Sequence, residues 1–185
     1  MIDQIRRRCS TGTHLGYALL DMNFNPRWLS EPFDDVRPPL QLQMVATDRN
    51  VSLARRRLRD WLTADVSSEL VDDLVLAVYE AMTNAVEHGY ADCPHGPVRL
   101  QARRSSAHVL ITVSDDGSWR VPINDHFRGR GLSLIRLLAD DVHIAAGPDG
   151  TVVRLWAEAP YEGLAHLRSR PAARRATSLG PPAAR

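Results

Sequence analysis

Glu80-Ala81-Met82-Thr83-Asn84-Ala85-Val86-Glu87-His88-Gly89 closes a long helical pattern and sets Glu80, Asn84 and His88 four residues apart. At about 3.6 residues per turn these side chains leave the helix on one side. The opposite stripe, Leu70, Leu74, Val78, Ala81 and Ala85, suits a buried face. A carboxylate beside a carboxamide, just before a glycine, suits a metal-bound phosphate. The amide oxygen is a hard ligand for magnesium, and the carboxylate can orient or deprotonate a nucleophile. Polar residues at this spacing are also the ordinary wet side of an amphipathic helix. The weight of the triplet therefore rests on its downstream company in the chain.

The chain has 185 residues, 44% of them apolar, enough for one domain with a packed core and tails. A net charge of +1 makes no electrostatic case for nucleic acid or a membrane surface. Two cysteines far apart, Cys9 and Cys93, imply no disulfide framework and fit a reducing cytoplasm. Neither a secretory signal nor an apolar run of about 18 residues is present. All 23 Lys+Arg residues are arginine. That excludes a P-loop, a protein-kinase strand lysine and Schiff-base chemistry. Phosphate binding here must use backbone amides, arginine and a metal.

Residues 1–39 read as an irregular N-terminal extension ending at Pro38-Pro39. Leu40 to Ala46 alternates as a strand. Asp48 or Asn50 is expected to cap a helix to about Leu62, and Ser67 or Ser68 a long helix to His88. Gly89 to Pro97 is a loop. Val98 to Arg103 and His108 to Ser114 are strands, the second with apolar residues on both faces as in a central strand. A loop, Asp115 to Arg128, precedes a glycine-rich helix start and a helix, Gly129 to Leu138. Val142 to Ala146 and Thr151 to Trp156 form a hairpin across Gly147-Pro148-Asp149-Gly150. The domain spans residues 40–158, and residues 159–185, rich in Pro, Ala and Arg, read as a disordered tail.

Three further pieces join the Glu80–Asn84 helix. Val113-Ser114-Asp115-Asp116-Gly117 ends an apolar strand; a carboxylate fixed there can accept from an exocyclic amine such as adenine's, and the glycine lets a flat base approach the backbone. An acidic turn after a strand is the bland alternative. Gly129-Arg130-Gly131-Leu132 opens a helix, where free amides favour phosphate, although such glycines also serve ordinary helix starts. Gly150-Thr151 leads from a turn into a strand, which by default is a hairpin glycine. His88, Cys93 and His95 fit no common zinc spacing and lack a fourth ligand.

The order Glu-x-x-x-Asn, Asp-x-Gly, Gly-x-Gly-Leu, Gly-Thr, over about residues 41 to 158, resembles the GHKL ATPases: gyrase-type ATPases, heat-shock chaperones, histidine kinases and mismatch-repair ATPases. Within them the chain looks like the anti-sigma factor serine-protein kinases (RsbW-like), most closely over Ala81 to Gly89. The resemblance implies a Bergerat-type α/β two-layer sandwich, with helices on one face of a mixed, mostly antiparallel sheet. It implies Glu80 as general base, Asn84 as magnesium ligand and Asp115 as adenine contact. His88, Gly117, Arg128, Gly129, Arg130, Gly131, Leu132 and Thr151 complete the implied ATP site. Ser52-x-Ala54-Arg55 also matches the subgroup, making Arg55 a partner-docking residue or else one member of the solvated run Arg55–Arg57. Trp119 stands where the superfamily has a second glycine, and would stack on the base or pack the loop from Ser118 to Arg128.

The function so implied is a bacterial cytoplasmic regulator binding ATP and Mg2+. It would phosphorylate a serine of an anti-anti-sigma antagonist and sequester a sigma factor, with a homodimer implied by resemblance alone. The alternatives are a non-catalytic ATP-binding partner-switching module and a histidine-kinase catalytic domain. The last needs a phospho-acceptor helix, for which residues 1–39 offer no helical pattern.

Overall fold

Alternating side chains sort the strands into two faces, and the described helices lie on one of them. The computed structural model describes residues 18–19, 33–90, 96–118, 130–147 and 149–160. The strands are β1 (Ala18–Leu19), β2 (Leu40–Val45), β3 (Pro97–Arg104), β4 (His108–Asp115), β5 (Asp141–Gly147) and β6 (Gly150–Glu158). The helices are α1 (Asp48–Leu62), α2 (Ser68–Asn84) and α3 (Arg130–Leu137), and a π-helical turn, Ala85–Gly89, continues α2. The six-stranded sheet runs β1-β5-β6-β4-β3-β2. The sheet, expected to be mostly antiparallel, is antiparallel at every described pairing.

Register places Leu100 opposite Val113, Ile111 opposite Leu155 and Ile144 opposite Val153. These residues, with Val98, Ala102 and Val109, form the buried face and share one core with Leu58, Leu62, Leu74 and Val78 of α1 and α2. Each fully buried Leu or Ile contributes about 1.5–3 kcal/mol before chain entropy is counted. The same register carries Asp115 onto this face, opposite Val98 and Thr151. A carboxylate therefore ends an apolar row beneath the helices.

The start of α1 differs from expectation. Thr47, with φ −145° and ψ 152°, is the N-cap and accepts the Asn50 N–H at 3.4 Å. Asn50 instead donates its side-chain amide to the Val45 carbonyl at 2.8 Å. Ser67 precedes α2 without a side-chain cap bond. The long helix does not run as α-helix to His88: it widens into the π turn after Asn84.

Within the stretch read as irregular, Ala18 pairs with Ala146 and Leu19 with Ala145. Two residues are too few for alternation to register. The Val36 N–H bonds the Arg104 carbonyl at 2.8 Å, and Arg103 meets Asp35 at 2.8 Å. Arg104, 0% exposed, donates to the Ser105 carbonyl at 2.6 Å. It lies 3.6 Å from Asp65, which Arg37 also approaches at 3.2 Å. Among the described residues no helix is long and apolar enough to cross a membrane.

Candidate functional site

A cavity opens between the end of α2 and the sheet. It is lined by apolar Ala81, Ala85, Val113, Leu132, Ile144 and Val153, and by polar Asn84, His88, Asp115 and Thr151. An apolar slot with a few fixed polar groups is the usual form of a small-molecule site. The π turn lies at its rim. Such turns carry an extra residue per turn, which rotates the side chains beyond them and recurs at functional sites. Here Asn84 and His88 still reach the same cavity across the change of pitch.

Asp115 is 7% exposed and accepts the Gly117 N–H at 2.9 Å. Burial holds its carboxyl above the usual carboxylate range, although hydrogen bonds from Gly117 and from the Thr151 side chain and backbone pull the other way. The turn after Asp115 is pressed onto the π turn. A β-carbon on Gly117 would stand 2.2 Å from the Gly89 carbonyl oxygen, so only glycine fits. Gly150 likewise sits at φ 132°, where a β-carbon would stand 2.0 Å from the Asp115 carbonyl oxygen.

Glu80 is not part of the cavity wall. It lies beside it, facing the start of α3: a β-carbon built on Gly131 would stand 3.3 Å from Glu80 Oε2 and 3.5 Å from Asn84 Nδ2. The Glu-x-x-x-Asn piece and Gly131, about fifty positions apart in sequence, thus meet in space. The first backbone amides of α3 lie next to the amide and the carboxylate, where phosphate oxygens are favoured.

Arg55 lies away from this cavity. It is on the outer face of α1 with Ser52, Arg56 and Arg59, its guanidinium 5.6 Å from the Tyr79 ring centre. Arg130 opens α3, and nothing is described of its side chain. Arg128, Gly129 and Trp119 lie outside the described residues, as do Cys93 and His95. Among the described residues no cluster of His, Cys, Asp or Glu could hold a metal by itself.

Sequence reasoning passed over the groups that hold the Asp115 turn. The Tyr90 hydroxyl accepts the Asp116 N–H at 2.9 Å, and Arg99 grips the Asp116 carboxylate with bonds of 2.6 and 2.9 Å. The only signal for Tyr90 was its place directly after Gly89.

Residues 44–156 match the family described as the histidine kinase-like ATPase domain. The chain belongs to that family. Among curated proteins, this ATPase-family chain is similar to the anti-sigma F factor of Heyndrickxia coagulans, 31% identical over 131 residues, covering 63% of this chain and 89% of the relative. It is similar also to the anti-sigma F factor of Bacillus cytotoxicus, 32% identical, with 65% and 92% covered. Among solved structures it resembles the RsbU and RsbW domains of Rv1364c from Mycobacterium tuberculosis, with a TM-score of 0.56 and 29% identity. That match covers 68% of this chain and 34% of the solved one. Family membership implies ATP binding, and the cavity between α2 and the sheet combines apolar walls with one buried carboxylate. A magnesium ion needs only one or two protein oxygens when phosphates and waters supply the rest, and Asn84 would supply one.

Proposed function

We propose that this ATPase-family chain is an anti-sigma regulator that transfers the γ-phosphoryl of ATP to a serine of an antagonist protein and sequesters a sigma factor. One observation carries the reading: Glu80 and Asn84 face the start of α3 beside a cavity floored by buried Asp115. Base, phosphate and nucleophile then have separate places along one line of residues.

In this reading Asp115 accepts from the adenine amine, and the apolar walls exclude water from the base. The amides of α3 meet the phosphates. Asn84 Oδ1 would hold magnesium, which neutralises phosphate charge when bound. Glu80 takes the proton of the serine hydroxyl as its oxygen bonds to the γ-phosphorus and the bond to the bridging oxygen of ADP breaks. Arg55, on the opposite side of α1, docks the partner. The similarity to anti-sigma F factors supports sigma factor and antagonist as the partners.

Incubating the chain with labelled ATP, Mg2+ and antagonist proteins from the native cell tests this. Phosphoserine on an antagonist is expected, and it should vanish in Glu80→Ala while ATP binding persists. ATP binding with no transfer to any antagonist would leave a non-catalytic partner-switching module instead.

A further inference from the structure

Tyr90 is 5% exposed and stands behind the cavity rather than in its wall. Its hydroxyl works twice, donating to the Pro97 carbonyl at 2.8 Å and accepting the Asp116 N–H at 2.9 Å. Burial pushes the phenol well above its ordinary pKa, so the hydroxyl keeps its proton and its donor role throughout the neutral range. One residue earlier, the Gly89 carbonyl accepts the Ser118 N–H at 2.9 Å. Consecutive residues at the end of the π turn therefore hold the backbone on both sides of Gly117.

Two adjacent carboxylates leave this turn on opposite faces of the sheet. Arg99 binds that of Asp116 on the face away from the described helices, which leaves that of Asp115 aimed at the cavity. Rotation of the turn would exchange or blur these directions. The Tyr90–Asp116 bond acts on the peptide unit that joins the two acids, so it governs where the Asp115 carboxylate stands.

We infer that Tyr90 is a positioning residue for purine recognition, its hydroxyl fixing the Asp116 backbone and thereby the Asp115 carboxylate that reads the base. This rests on the proposed placement of the nucleotide in the cavity. A group that discriminates between bases must be held to within about 0.5 Å. Adenine presents an amine donor to a carboxylate there. Guanine presents a carbonyl oxygen at the same ring position, which a carboxylate repels. Loosening the turn weakens the adenine bond and relaxes the penalty on guanine, so the ratio of the two affinities reports on position.

The test is calorimetric titration of the full chain and of Tyr90→Phe with Mg-ADP and Mg-GDP, below the melting temperature recorded for each. Tyr90→Phe keeps the ring and removes one hydroxyl. ADP binding should weaken roughly threefold to tenfold, the range of one hydrogen bond, while GDP binding stays level or tightens. Equal losses for both nucleotides, or an unchanged ADP affinity, overturn the inference and assign Tyr90 a purely structural role. Amide exchange on the unaltered chain gives a second readout that does not depend on the variant folding. The Asp116 amide should be protected with and without ADP, and rapid exchange overturns the inference. If the unaltered chain binds neither nucleotide, the proposed function falls and this inference with it. If it binds ADP and Tyr90→Phe changes nothing, only this inference falls.

Discussion

Asp115 ends β4 directly opposite Thr151 at the start of β6, and Thr151 donates to its buried carboxylate. Because burial raises the Asp115 pKa, the folded chain holds its proton at pH values where the unfolded chain has lost it. Asp115 therefore adds stability at acid pH, and that contribution is lost as pH rises through the raised value. Asp115→Asn, which mimics the protonated acid, should melt higher than the unaltered chain at pH 7.5, with the gap closing on acidification. The same change should weaken ATP binding roughly tenfold, the scale of a charge-assisted hydrogen bond. It should also flatten the extra loss of affinity that the unaltered chain shows as pH falls. Titration calorimetry and melting curves across pH read both effects. A variant that binds ATP as tightly as before would remove Asp115 from the site.

Gly131 should tolerate little. An alanine there places a methyl 3.3 Å from Glu80 Oε2 and near both terminal atoms of Asn84. The contact is tight rather than impossible, and Glu80 can swing away. Gly131→Ala is thus expected to fold normally, to bind ATP within a few-fold of normal, and to lose phosphoryl transfer about tenfold or more through misplacement of Glu80. Glu80→Ala should lose roughly a hundredfold or more, as general-base removal does. Single-turnover transfer to an antagonist measures both. If Gly131→Ala transfers at the normal rate, the meeting of α3 with Glu80 has no part in the chemistry.

How much of this was legible in the sequence varies by element. The rows Val98-Leu100-Ala102 and Val109-Ile111-Val113 announce their strands because one face of each is buried, and period-two patterning arises from that alone. Alternation alone ends β3 at Arg103, since an arginine next in the apolar row looks like an exit. Arg104 stays in the strand because Asp65 and two backbone carbonyls receive its guanidinium, a partnership formed through space. The π turn was invisible because a slip in backbone hydrogen bonding leaves no mark on side-chain type. The meeting of Gly131 with Glu80 was legible only through family resemblance, while Tyr90 needed coordinates. Thr47 is less polar than Asp48 or Asn50, yet Thr47 alone has the extended backbone a cap requires.

Gly117 and the Gly89 carbonyl pack backbone on backbone, so neither can yield as a side chain would. Gly117→Ala should cost about 2–4 kcal/mol, as overpacking at a closed contact does, and should detach the Asp115 turn from the π turn. Denaturant melts would show the loss of stability. A variant of unchanged stability would mean that the two turns do not touch in solution.

Asp65 sits in the connection between α1 and α2 with Arg37 at 3.2 Å and Arg104 at 3.6 Å. Arg37 also lies over Trp61, its guanidinium carbon 3.8 Å from the ring centre, and Trp61 donates to the Pro38 carbonyl at 3.2 Å. Removing the carboxylate leaves the wholly buried Arg104 without this counter-charge. Breaking a buried pair from one side costs about 3–5 kcal/mol, far more than deleting a surface pair. Asp65→Ala should therefore lower the denaturation midpoint sharply, whereas Asp72→Ala, which releases the exposed Arg59 at 2.6 Å, should change stability by less than about 1 kcal/mol. The comparison separates burial from mere pairing, because the exposed pair is the shorter of the two. Equal effects from the two substitutions would mean that Arg104 reaches water in solution and that the Asp65 cluster does not anchor residues 33–39 to the sheet.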